Sequence, residues 1–263
     1  MKYTAEDHSF IVCAYKENPY LEECVKSVLN QKIKTEIVIV TSTPNAHISA
    51  VAEKYGLPLM INTGETGIAG DWNFALSCSS RKLKTLAHQD DIYLPDYTAE
   101  MLKYLNRTRD PIIFTCDYEE IRGEKTVSFD ALIGVKRAMR FPMWLFPNRT
   151  FAKRTAIAFG NAIVCPSVTY VSEYIDASPF KSEMRSNLDW EKWEEFSRKP
   201  GAFACSRKAL MRHRISEESE TTRLIRENVR TEEDYRMLRV FWPEFIAKRF
   251  SKIYASGEGK NEL

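Results

Sequence analysis

Residues 9–15, SFIVCAY, lead through the turn-prone KENP into YLEECVKSVLNQK (20–32), and the reading of these two stretches decides the fold. The first is a short β-branched and aromatic run bounded by turn residues, which is the pattern of a buried strand. In the second, Leu21, Cys24, Val25, Val28 and Leu29 recur at helical spacing, so a helix with one apolar stripe follows. The alternation then repeats: TEIVIVTS (35–42) reads as a strand, AHISAVAEKYG (46–56) as a helix closed by Gly56, and LPLMINT (57–63) as a strand. Such β-α-β-α-β order implies a parallel sheet with helices packed on its faces.

Outward from this core, DWNFALSCS (71–79) reads as a helix after the glycine-bearing turn GETGIAG, and LKTLAHQ (83–89) as a strand. A helix starting at Asp96 and a strand PIIFTCDY (111–118) continue the rhythm. Residues 132–160 break it, mixing Arg and Lys with Phe, Trp, Met and two prolines; a core-plus-surface segment and an amphipathic face toward an acceptor or membrane are both open. NAIVCPSVTYV (161–171) reads as a strand, NLDWEKWEEFSRKP (187–200) as a helix, and residues 218–255 as charged helices. There is no internal repeat and no low-complexity segment.

At 263 residues the chain is long enough for one large domain, or a domain with a small appendage, to bury its own core. Apolar residues make up 44% and charged residues 28%, an ordinary globular balance. A net charge of +2 gives no global argument for nucleic acid, so an anionic partner must be bound locally. The six cysteines lack zinc-site or CxxC spacing and read as reduced core thiols. The N-terminus is too polar for a signal peptide and no apolar run reaches the length of a membrane span, so the expectation is a cytoplasmic chain. The C-terminal FWPEFIAKRFSKIYA (241–255), with Lys248, Arg249 and Lys252 among aromatics, leaves room for peripheral contact at the inner face of the membrane.

Three places carry chemistry. In TLAHQDDIYLPDY (85–97), Asp90 and Asp91 end a strand of the alternating half, where open α/β sheets place ligands. Adjacent carboxylates there suit a hard cation such as Mg2+ or Mn2+, although most such pairs are only solvated turn residues. Asp189 in DWEKW, beside Trp190, is either a helix N-terminal acid or a general base whose apolar walls raise its pKa. In RHRIS (212–216), His213 between Arg212 and Arg214 is either a basic surface turn or a metal ligand flanked by phosphate-neutralising cations.

Taken in order, FIVCAYKENPYLEECVKSVLNQ, GIAGDWNFALS (67–77), HQDDIYLPD (88–96), FGNAIVCPSVTYV and NLDWEKW resemble the segments of family 2 glycosyltransferases of the GT-A fold, over about residues 9–222. The resemblance implies a Rossmann-like mixed sheet flanked by helices and followed by a C-terminal helical extension. It divides the chain into a catalytic domain at 1–217, with a nucleotide half to about 100 and an acceptor half beyond, and an extension at 218–263. It implies inverting sugar transfer from a nucleoside diphosphate donor to a glycan or lipid-linked acceptor in surface-glycan synthesis. Asp189 would be the base. Asp91, Asp90 and His213 would hold a divalent cation, Mn2+ or Mg2+. Ala14, Tyr15, Lys16, Thr41, Ser42, Gly67, Trp72, Asn73, Asp90 and Arg214 would line the donor.

The chain departs from that family in three ways: His88 stands where the metal segment has an acid, TSTPN (41–45) replaces an acidic nucleotide-contacting stretch, and Leu188 precedes Asp189 in place of an acid. These keep open a catalytically degenerate nucleotide-sugar-binding protein. A nucleotidyltransferase is a weaker alternative, since AYKENPY lacks the glycine-rich phosphate loop after the first strand.

Overall fold

The computed structural model describes residues 2–180, 183–215 and 229–258, the last helix by its backbone alone beyond 252. The first half follows the sequence pattern closely. Strands β1 (His8–Ala14), β2 (Glu36–Thr41), β3 (Leu59–Ile61) and β4 (Leu83–His88) alternate with helices α1 (Leu21–Leu29), α2 (Ala46–Tyr55) and α3 (Ile68–Ser77). Local chemistry sets the ends of these elements. The Asn45 side chain accepts the Ile48 N–H at the start of α2, and Gly56 closes that helix at φ 60°, a left-handed value that glycine adopts without penalty.

Strand β5 (Ile92–Tyr93) and helix α4 (Tyr97–Arg107) follow, then the long β6 (Pro111–Arg122) and its hairpin partner β7 (Lys125–Val127). Residues 132–160 resolve mostly into α5 (Ala131–Leu145), capped by Asp130, and the short α6 (Thr150–Thr155). Next come β8 (Thr169–Val171), α7 (Leu188–Arg198) and β9 (Ala202–Ile215), and finally α8 (Val229–Phe241) and α9 (Glu244–Glu258). The sheet runs β3-β2-β1-β4-β8-β6-β9-β5. Strands β1 to β4 pair in parallel, whereas β8 is antiparallel to both β4 and β6.

Two expectations need correction. Residues 161–171 are not one strand: Cys165–Ser167 forms a single tight turn, with Pro166 lacking the N–H a ladder needs, and only Thr169–Val171 pairs. The fourteen-residue β9 was also missed, and RHRIS is largely its end rather than a turn. The expected helices at 218–255 appear as α8 and α9; residues 216–228 lie outside the described part.

The side-chain alternation of β1 divides the core. Phe10 and Val12 pack with α1, α2 and α4, while Ile11 faces a second cluster built from α3, α5, α7, α8 and α9. That second cluster contains Trp190 and Trp193, both fully buried, whose indole N–H groups donate to the carbonyls of Ile157 (2.8 Å) and Ile163 (3.3 Å). Met237 and Leu238 of α8 sit in it too, so the C-terminal helices complete the core beneath α7. Among the described residues no helix is long and apolar enough to cross a membrane.

Candidate active site

The carboxyl ends of β1, β2 and β4 open on one edge of the sheet, and side chains lace the loops that leave them. Gln89 accepts the Tyr15 N–H and donates to the Tyr15 carbonyl, both at 2.9 Å, which ties the loop after β4 to the loop after β1. Ala14 is buried at the end of β1, and Lys16 adopts a left-handed φ of 56° so that its N–H reaches Thr43. The Thr43 N–H in turn donates to Thr41 Oγ1 at 3.0 Å.

Ser42 donates to Asp71 at 2.9 Å, and the amide of Asn62 donates to the other Asp71 oxygen at 2.8 Å. Asp71 lies within the expected nucleotide segment 67–73 but is not singled out by the sequence. It brings an acid from the first turn of α3 to the end of β2, where TSTPN has none. The only sequence signal for it is an acid one residue before Trp72. Gly67 precedes this helix at φ 92°, a value few other residues would adopt. Trp72 stacks on His88 with ring centroids 5.4 Å apart. Asn73 faces inward instead, exchanging two hydrogen bonds with the Phe180 backbone at 2.8 and 3.0 Å.

Asp91 is completely buried. Its Oδ1 accepts the Arg214 N–H at 2.9 Å and lies 3.0 Å from His213 Nδ1; its Oδ2 has no partner among the described residues. Burial disfavours the charged form of His213, but the bonded Asp91 carboxylate and nearby Asp90 overcome it and raise the imidazole pKa. At Asp90, burial and then the like charge of Asp91 push the carboxyl up. Strand β9, the element hidden from the sequence reading, is therefore what fixes Asp91.

Arg214 is a strut rather than a free cation. It lies 3.9 Å from the Tyr20 ring centroid, bonds Glu23 at 2.6 Å and donates to the Asp90 carbonyl at 3.0 Å. Arg212 pairs with Glu119 instead, at 2.9 Å. His88 is kept neutral, because burial lowers its pKa and the acids at 90 and 91 only partly oppose this; its Nε2 has no partner among the described residues.

Asp189 stands in the first turn of α7. Its Oδ2 accepts the Asn161 amide at 2.8 Å and its Oδ1 the Trp190 N–H at 2.7 Å. Burial nevertheless pushes its carboxyl up to about 6, against the opposing effects of the Trp190 N–H, Arg230 and Asn161. Glu233 of α8 holds the segment before it, accepting the backbone N–H groups of Arg185, Ser186 and Asn187 at 2.6, 2.8 and 3.0 Å. The Cys165 thiol is pushed up by its own burial first and then by the charge of Asp189. Neither Asn161 nor Glu233 had a sequence signal.

An unpartnered buried Asp91 oxygen beside Asp90 has the donor chemistry a hard cation wants. Among the described residues, however, no three or more His, Cys, Asp or Glu gather into a cluster that could hold a metal. The fit is that of Mg2+-type sites, where one or two carboxylates are supplemented by substrate phosphates.

A mixed α/β sheet flanked by helices, with carboxylates at its strand ends, is the architecture of GT-A glycosyltransferases. The chain belongs to glycosyl transferase family 2, whose model matches residues 9–168. A curated relative, an uncharacterized glycosyltransferase of Haemophilus influenzae, is 28% identical over 123 residues, spanning 44% of this chain and 38% of its own length.

Among solved structures, Staphylococcus aureus TarS 1-349 in complex with UDP-GlcNAc aligns with a TM-score of 0.61 at 15% identity, covering 93% of this chain and 70% of that one. The mannosyltransferase PcManGT from Pyrobaculum calidifontis, in complex with GDP-Man and Mn2+, aligns with a TM-score of 0.68 at 14% identity over 94% and 70%. At these identities the structural likeness speaks to the fold. The chain spans well under half of the length of the curated relative and 42% of the longer TarS chain.

Proposed function

We propose that the chain is an inverting glycosyltransferase that moves a sugar from a nucleoside diphosphate to an acceptor hydroxyl in surface-glycan synthesis, assisted by Mn2+ or Mg2+. The observation that carries this reading is a buried Asp91 with an unpartnered oxygen just after β4, together with an Asp189 oriented by two hydrogen bonds at the start of α7. Asp91 offers an unpartnered oxygen, whereas Asp189 is held by Asn161 with its pKa near 6. A transfer needs both a group that takes the acceptor proton and one that helps neutralise the departing diphosphate.

In this reading Asp189 takes the proton of the acceptor hydroxyl as that oxygen bonds the anomeric carbon. The bond from that carbon to the diphosphate oxygen breaks on the opposite side, and its electron pair leaves with the nucleoside diphosphate. Asp91 and Asp90 would hold the cation, which when bound neutralises charge on the departing diphosphate. His213 and the Arg214 N–H orient Asp91 for that task. The loops at 14–16, 41–43 and 67–73 take the nucleotide and donor sugar, and residues 132–160 with Asp189 form the acceptor side. This corresponds to a donor half to about residue 100 and an acceptor half from 101 to 217, with the extension at 218–263 bracing the base.

UDP-GlcNAc and GDP-Man, the ligands bound in TarS and PcManGT, are the first donors to try. The test is release of nucleoside diphosphate from each, with and without Mn2+; Mn2+-dependent release supports the reading. A second reading, a donor-binding protein without turnover, is favoured by His88 and Leu188 and by the lack of a three-ligand cluster among the described residues. Saturable donor binding with no release under any condition selects it.

A further inference from the structure

The long β6–β9 pair slips out of step at three places, most widely between Thr115 and Asp117. Thr115 faces Cys205 and Asp117 faces Ala209, so β9 carries Ser206, Arg207 and Lys208 opposite Cys116 alone. Bulges of this kind re-aim side chains at the expense of ladder hydrogen bonds. Lys208 is drawn to Glu100 of α4 at 2.9 Å, while Arg207 is thrown over α5, 4.9 Å from the Trp144 ring centroid and 5.7 Å from that of Phe141.

Between the bulge and α5 lies a cavity of about 500 Å3, lined by Asp117, Arg137, Arg140, Phe141, Trp144 and Arg207. Its charges do not balance. Asp117 is shared by Arg137 and the buried Arg140, whereas Arg207 meets only aromatic rings and pairs with no carboxylate among the described residues. Three guanidinium groups thus answer one carboxylate, and the buried Nε of Arg140 has no acceptor among the described residues. Excess positive charge around a concave, partly aromatic wall is the chemistry that recognises an anion.

We propose that this cavity binds an anionic group, a phosphate or a carboxylate, carried by the acceptor at a distance from its reacting hydroxyl. The cavity connects to the reaction centre along β9. Ala209 is four residues before His213, roughly 13 Å at a strand's rise per residue. Tyr118, next to Asp117, has its ring against that of His213 with centroids 6.5 Å apart. An extended acceptor seated by its charge on Arg207 therefore runs toward Asp91 and its neighbours. The use of the site rests on the glycosyl-transfer reading; the existence of the anion site does not.

The test uses sn-glycerol 3-phosphate and D-glucuronate as probes, with glycerol and D-glucose as neutral controls. Tryptophan fluorescence is followed at low salt in the presence of saturating UDP and GDP, which close the diphosphate site to the probes. The expected result is saturable quenching by an anion and none by the neutral controls, with affinity reduced at least fivefold in Arg207→Ala and much less in Arg207→Lys. The stronger of the two anions identifies the substituent. Quenching that is equal for neutral probes, abolished by the nucleotides, or unchanged in Arg207→Ala overturns the proposal. Failure of wild-type protein to bind either nucleotide counts against the glycosyl-transfer reading instead and leaves the anion result to be judged alone.

Discussion

The amide of Asn161 donates to Asp189 Oδ2 at 2.8 Å, joining a loop before β8 to the first turn of α7. With the Trp190 N–H on the other oxygen, this fixes where the Asp189 carboxylate can point while leaving its basicity raised. Orientation from two donors and a pKa near 6 from burial are together what a general base requires.

The first prediction concerns pH. A base must be ionised to work, so turnover should rise with pH and level off above about 6, the value to which burial raises Asp189. Stability runs the other way. The folded carboxyl binds its proton more tightly than the unfolded one, which titrates near 3.8, so the contribution of Asp189 to stability is fully present below pH 4 and is lost as pH rises through 6. The loss is on the order of 3 kcal/mol relative to Asp189→Asn. Denaturant melts between pH 4 and 7 should show that slope in the wild type and not in Asp189→Asn.

Asp91→Asn should remove the response to metal. In the wild type, EDTA is expected to weaken donor binding at least tenfold, whereas in Asp91→Asn binding should already be weak and insensitive to EDTA. Because Oδ1 also accepts from Arg214 and lies against His213, a modest destabilisation of about 1–2 kcal/mol is expected. Calorimetric titration of the donor with and without Mn2+ reads both effects. An Asp91→Asn protein whose affinity still depends on Mn2+ removes Asp91 from the metal site.

Glu233 braces the segment before Asp189 from a different helix. Its carboxylate accepts three consecutive N–H groups, and Asp234 accepts the Asn187 amide at 2.7 Å. Glu233→Ala leaves those N–H groups without their acceptor, so a loss of roughly 2–4 kcal/mol is expected. Glu233→Gln should keep the fold and lower kcat with little change in donor KM. A change in KM alone would place Glu233 outside the alignment of Asp189.

Gly70 has no room for a side chain. A Cβ there would lie 2.2 Å from the Glu65 carbonyl oxygen, a backbone atom that cannot move alone. Since the Glu65 carbonyl also accepts from Asn62, which bonds Asp71, Gly70→Ala should shift the whole network at the end of β2. Destabilisation of about 1–3 kcal/mol is expected, with weaker donor binding. Thermal melts and a donor titration check the two together.

The first four strands and three helices are legible because the strands are short β-branched or apolar runs between turn residues, and the helices show an apolar stripe, a glycine-bearing turn before them or a clear stop such as Gly56. The chain from Ser9 to His88 therefore carries its own instructions. Strand β9 was not legible: SRKALMRHRI has a basic, broken alternation, and it becomes a strand only by pairing with β6 across a bulge. For the same reason Asp91 and Asp189 could be picked from sequence, but not the residues that hold them. Arg214 and His213 reach Asp91 across more than a hundred residues, and Asn161 and Glu233 approach the Asp189 region from two other elements. Asp71 falls inside the 67–73 segment, but the sequence does not single it out, because its role depends on β2 and β3 ending beside it.

The most direct test of the account is the rate of nucleoside diphosphate release from UDP-GlcNAc or GDP-Man with Mn2+ at pH 7.5, measured for wild type and Asp189→Asn under equal donor occupancy. The account predicts a loss of at least a hundredfold in the variant with donor affinity essentially kept, the magnitude expected for removal of a general base. A variant that turns over at the wild-type rate contradicts the assignment of Asp189, and with it the mechanism proposed for this chain.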